Sequence, residues 1–140
     1  MVTQRLRHWR DRGAAAVEFA LIVPALVTLI FGSIEFGLAI EVRTAVQNAA
    51  REGVRMASLV GGSDGAAAVQ EVKDAATQAL SGLPGVVVNP PVVSCTPGPC
   101  VIGSAAQGSV ATVTVTVQYA GITGFLPVST LTSSSTMRIE

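Results

Sequence analysis

The chain has very few of the side chains that carry chemistry. Its 140 residues include one histidine, one tryptophan and one tyrosine, and Lys73 is its single lysine. Charged residues make up 13% and aromatics 4%. The histidine is His8, so no imidazole follows the first eight residues to serve as a general base, proton shuttle or metal ligand. No glycine-rich phosphate loop, dinucleotide fingerprint or Cys/His zinc spacing occurs. The basic cluster Arg5, Arg7, Arg10 and Arg12 is too short for a nucleic-acid surface. The expectation is a protein that is not an enzyme, with no cofactor, no metal, no nucleic-acid partner and no small-molecule substrate.

What is present is apolar. Hydrophobic residues reach 49% and the mean hydropathy is +0.55, too apolar for an ordinary soluble domain and far too apolar for a disordered chain. The formal net charge of zero conceals a split. Residues 1–13 hold four arginines against Asp11, a balance of +3, whereas residues 14–140 hold five cations against eight carboxylates, a balance of −3.

Phe19 to Ile34 is uncharged, and apolar character resumes after Glu35 as far as Ile40. Twenty-two helical residues from Phe19 to Ile40 extend ~33 Å, enough for a hydrocarbon core of about 30 Å. The arginines before this span keep the N-terminus cytoplasmic and send the rest of the chain outside. A cleaved secretory signal fits less well, because the apolar run exceeds the usual h-region and no small-x-small site follows it. Glu18 and Glu35 are costly inside hydrocarbon. They are 17 residues apart, about 25 Å along a helix, so Glu35 is expected at the outer, water-facing edge. Pro24, inside the span, removes one backbone hydrogen bond and is expected to kink or loosen the helix.

Glu18 sits in RDRGAAAVEFALIVP: a basic leader, a glycine, four small or apolar residues, a glutamate and an aromatic. Gly13 lacks a Cβ, which leaves the backbone open and is expected to break the helix before Ala14. The pattern from Gly13 through Glu18 and Phe19 resembles type IV prepilin signals, which are cut on the cytoplasmic side after the glycine. The resemblance implies cleavage between Gly13 and Ala14 by a prepilin peptidase, and a role for Glu18 in incorporation. A new amine at Ala14 of one subunit could then pair with Glu18 of a neighbour in a low-dielectric assembly.

Beyond Ile40, apolar or small residues at 42, 46, 49, 53, 56 and 60 recur at helical spacing among polar ones. This extends the helix to about residue 60. The Gly61–Gly65 cluster ends it, and Ser63 or Asp64 is placed to cap a second helix over 66–82 with Val69, Val72, Ala76, Ala79 and Leu80 as its buried stripe. Within NAAREGVRMAS, Ala50, Arg51, Glu52, Gly53, Arg55 and Ala57 are similar to a segment of TadE-like proteins, minor pseudopilins of tight-adherence (Flp, type IVb) pilus systems. The ending STMRIE is similar as well, while residues 61–108 agree only in character. Arg51, Glu52 and Arg55 can pair within the helix or with a partner, so Arg51, Glu52, Gly53 and Arg55 form a candidate interaction face. Gly53 costs about 1 kcal/mol in mid-helix and suggests a close approach by another element.

From Val86 the composition turns to Val, Thr and Ser. Short runs at 86–88 and 92–93 flank Pro90-Pro91, residues 110–119 alternate with period two, and 129–140 forms a weaker final strand. Val113, Val115, Val117 and Tyr119 share one face; Thr112, Thr114, Thr116 and Gln118 share the other. Cys95 and Cys100 enclose a Pro-Gly turn and, in an oxidising compartment, form a candidate local disulfide.

The expected fold is α+β and pilin-like: a long N-terminal transmembrane and amphipathic helix, a second short helix and a small antiparallel sheet. Its organisation reads as a cleaved leader over 1–13, a transmembrane helix over 14–40, an extracytoplasmic continuation over 41–60 and a small domain over 61–140. The resemblance implies a single-pass protein of the cytoplasmic membrane that either enters a pilus or stays at its base, with a part in pilus assembly, adhesion or secretion. Its implied partners are the peptidase, other pilins and tight-adherence assembly proteins. The alternative is a membrane-anchored extracytoplasmic binding domain with no fibre role.

Overall fold

A computed structural model describes residues 3–60, 65–98, 108–122, 124 and 127–139, with side chains in the first helix from Gly13 onward. Helix α1 is Thr3–Leu59 and helix α2 is Gly65–Gln78. Strands β1 (Val86–Val88), β2 (Val92–Thr96), β3 (Val110–Tyr119) and β4 (Ser129–Arg138) follow. The expected α+β class is the observed one. The residues proposed to cap α2, Ser63 and Asp64, lie outside the described residues, as does Cys100.

The chain divides into two compact units, residues 1–37 and 38–140. In the first, α1 exposes almost every large apolar side chain it carries, including Phe19, Leu21, Ile22, Leu29 and Phe36. A helix apolar all round and uncovered by protein is suited to lipid. The helix is also long and apolar enough to cross a membrane.

Residues 1–37 depart from expectation at two positions. Gly13 does not break α1, which runs through it without interruption. A single glycine costs about 1 kcal/mol, which the flanking run of alanines, strong helix formers, tolerates. Glu35 is not a wet residue at the edge of the span: it is only 3% exposed, the one buried charged side chain among the described residues.

In the second unit, α1 turns a stripe of small residues inward. Val42, Val46, Ala49, Ala50, Val54, Ala57 and Val60 are buried, a wider band than the spacing 42/46/49/53/56/60 suggests. Helix α2 adds Ala68, Val72, Ala76 and, just past its end, Leu80. This is an i, i+4 row, so Ala68 replaces the expected Ala79, which is exposed, and Val69 is only half-buried.

Strand β3 is the centre of the sheet. Ala111, Val113, Val115, Val117 and Tyr119 are buried, while Thr112, Thr114 and Thr116 are half-buried and Gln118 is exposed. The strict alternation fixes which face covers the core. Strand β4 pairs antiparallel along all ten residues of β3, from Val110↔Arg138 to Tyr119↔Ser129. The other edge of β3 is shared by β1, which pairs Val86↔Tyr119 through Val88↔Val117, and β2, which pairs Val92↔Thr114 through Thr96↔Val110.

Between those two short strands, Asn89, Pro90 and Pro91 oppose only Val115 and Thr116. The extra residue makes a bulge, placed where proline has no N–H to give a ladder. The Asn89 N–H still donates to the Thr116 carbonyl at 3.1 Å. Gly85 leads into β1 with φ +69°, and a Cβ there would lie 2.5 Å from the Ala120 carbonyl oxygen. Only glycine lets the chain turn so close to its neighbour.

Candidate functional site

Two sets of residues bear on function, one in each unit. In the first, Gly13, Ala14, Glu18 and Phe19 all lie on helical backbone with exposed side chains. No atom comes within 4 Å of where a Gly13 Cβ would stand, so the Gly13–Ala14 peptide is sterically open. Glu18 projects beside Phe19, which is 69% exposed. An isolated carboxylate on an apolar helix is costly in lipid unless a cation meets it.

Pro24 lies within α1, which remains helical on both sides of it. The Thr28 hydroxyl donates to the Pro24 carbonyl at 2.8 Å and the Ser33 hydroxyl to the Leu29 carbonyl at 2.8 Å. Both hydroxyls of the apolar stretch are thus satisfied inside the helix, as a span requires where water is absent.

In the second unit, the Arg51–Arg55 face separates into parts. Arg55 Nη1 donates to Glu52 Oε1 at 3.2 Å, with the two side chains 65% and 43% exposed. This i, i+3 pair is worth about 0.3–0.5 kcal/mol. Arg51 is exposed and among the described residues has no ion-pair partner. Gly53 belongs to the opposite, buried side of the helix and is not part of an exposed interaction face. A Cβ there would lie 2.9 Å from Val113 Cγ1 and 3.2 Å from Ala76 Cβ. Glycine at this point lets α1 meet α2 and β3 together.

Arg43 and Gln47 were not singled out from the sequence. Together with Arg51 and Arg55 they repeat every four residues, a polar stripe along one side of α1. Arg43 and Gln47 line a surface depression of about 270 Å³ with Thr130, Leu131, Thr132 and Ser133. Gln47 and Arg51 line a second of about 260 Å³ with Ser133, Ser134 and Ser135. The spacing 43/47/51/55 was the available signal; the run of Ser and Thr it faces is far away in sequence.

Cys95 is half-buried on β2, and no cysteine is free among the described residues. Among those residues no group of three or more His, Cys, Asp or Glu side chains is placed to hold a metal ion.

No curated protein matches the chain. A family model described as TadE-like protein matches residues 13–55. That range opens at Gly13, takes in Glu18, Phe19, Pro24 and the whole apolar stretch, and closes at Arg55; it leaves out α2 and all four strands. From Gly13 to Arg55 the chain is therefore similar to TadE-like proteins.

Proposed function

We propose that the protein is a minor pseudopilin of a tight-adherence pilus system, matured by a prepilin peptidase that cuts between Gly13 and Ala14. The carrying observation is that the TadE-like match begins at Gly13, the glycine of the prepilin-like pattern, and continues through a helix long and apolar enough to span a membrane. The mature chain keeps that helix as a single-pass anchor, with its N-terminus cytoplasmic and residues 38–140 outside.

Cleavage removes the +3 leader and creates an α-amine at Ala14. Within a bundle of parallel helices, that amine pairs with Glu18 of a neighbouring pilin or pseudopilin, and the register between subunits follows from the pair. Phe19 contributes to peptidase recognition. A local bend at Pro24 adapts the helix when it leaves the bilayer for an assembly. On the exported side Cys95 and Cys100 close a disulfide around the Pro-Gly turn; two free thiols by mass spectrometry of exported protein would contradict this. The protein acts by packing and pairing with other pilins and assembly components, and has no catalytic role.

N-terminal sequencing of protein isolated from membranes tests the reading, in cells with and without the prepilin peptidase. The expected N-terminus is Ala14 with the peptidase and a residue before Ala14 without it, and Glu18→Leu is expected to lower assembly. An uncut Gly13–Ala14 bond in both strains, with Glu18→Leu assembling normally, would favour an anchored binding domain without a fibre role.

A further inference from the structure

Among the described residues the sheet has two edges, and they are built differently. One is divided into β1 and β2, three and five residues long, by the bulge at Asn89–Pro91. The other is β4, ten residues with no proline, no bulge and a single charge, Arg138. The Ile139 N–H donates to the Ser109 carbonyl and the Gly108 N–H to the Ile139 carbonyl, so Ile139 is turned toward the β3 side. Antiparallel pairing alternates. The backbone groups of Leu131, Ser133 and Ser135 therefore point at β3, and those of Thr130, Thr132, Ser134 and Thr136 point outward. Sheets ordinarily protect a long flat edge of this kind, because it templates further strand pairing.

Alongside that edge run the two depressions between β4 and α1, sharing Gln47 and Ser133. Their other α1 residues are Arg43 and Val46 in one and Arg51 in the second. Among the described residues neither Arg43 nor Arg51 has a carboxylate or hydrogen-bond partner. The surface thus offers a row of outward backbone donors and acceptors beside two guanidiniums without counter-charges.

We propose that the outer edge of β4 receives, by strand addition, an extended carboxylate-bearing segment of a different protein, with Arg43 and Arg51 as the charge partners. Strand addition draws affinity from main-chain hydrogen bonds and specificity from side-chain contacts. Arg43 and Arg51 are eight residues apart, ~12 Å along the helix. In an extended strand two side chains on one face at i and i+4 are separated by ~13 Å, so the segment carries Asp or Glu at that spacing. A second copy of this chain does not supply it, because no two of its nine acidic residues are four apart in sequence. This inference does not rest on the pseudopilin reading: strand addition serves an anchored binding domain equally well.

The test places a photo-crosslinking amino acid at Gln47 in the full chain, in its own membrane, and identifies the joined peptide by mass spectrometry. The expected product is a peptide of another protein with Asp or Glu at i and i+4. Its yield should fall at least tenfold in Arg43→Glu/Arg51→Glu. It should fall similarly in Ser134→Pro, which removes an outward N–H without breaking a bond to β3. Hydrogen exchange at Val113 and Val117 checks that the sheet is intact; if charge reversal disturbs it, the neutral pair Arg43→Met/Arg51→Met replaces that variant. No product, a product with a second copy, a peptide without the paired acids, or a yield indifferent to the substitutions would each overturn the proposal.

Discussion

Helix α1 carries two kinds of surface under one backbone geometry. From Phe19 to Phe36 it displays Phe, Leu and Ile outward with almost nothing packed on them. From Val42 to Ala57 it buries only valines, alanines and Gly53. Large side chains suit a liquid hydrocarbon, which imposes no shape. Small ones suit a protein interior, where α2 and β3 come close enough for a single methyl to matter. The same helix is suited to lipid at one end and packed by its own chain at the other, and residue size distinguishes the two better than hydrophobicity does.

The sharpest way to break this contrast is one substitution made in both halves. Gly53→Leu forces a side chain into a site where even a Cβ meets Val113 and Ala76, so a loss of about 3 kcal/mol is expected, read as a lowered unfolding midpoint of the detergent-solubilised protein. Gly32→Leu, with nothing within 4 Å, is expected to leave that midpoint unchanged. Next in size, Leu26→Lys places a charge near the middle of the span and should cost about 2.5 kcal/mol of membrane insertion, seen as protein lost from the carbonate-washed membrane fraction. Val115→Ala, in the buried row of β3, should cost about 2 kcal/mol of folding stability without changing membrane insertion. Arg55→Ala breaks an exposed pair with Glu52 and should cost under about 0.5 kcal/mol, a shift that 0.5 M salt largely erases.

Where one periodicity governed a segment, the sequence was sufficient. The alternation over 110–119 identified both faces of β3, since each residue there has only two options. The helix through residues 42–60 and the existence of α2 followed from spacing, and the close approach suspected at Gly53 is what its surroundings explain. Features set by partners distant in sequence stayed hidden. Nothing local distinguishes Ala68 from Ala79, because alanine fits either side of a helix and α2's tilt over the core decides. Burial of Glu35 contradicts its residue type, and the helix through Gly13 contradicts the glycine. The pairing of β4 with the full length of β3, and the one-residue offset at Pro90-Pro91, depend on chain segments meeting across long gaps. The match over 13–55 likewise informs the apolar stretch of α1 and the start of its small-residue stripe, while the sheet rests on its own physical chemistry.

The proline bulge also limits how the molecule can associate. A sheet with two open edges can add a neighbour on each side, and copies of it can extend into a ribbon. Here Pro90 and Pro91 interrupt one edge, and β1 and β2 are too short to template a long partner, which leaves β4. In polymer terms the sheet is monofunctional: it can end or decorate a growing structure through strand pairing but cannot propagate one. Any repeating contact in a larger assembly must then use a surface other than the sheet edges.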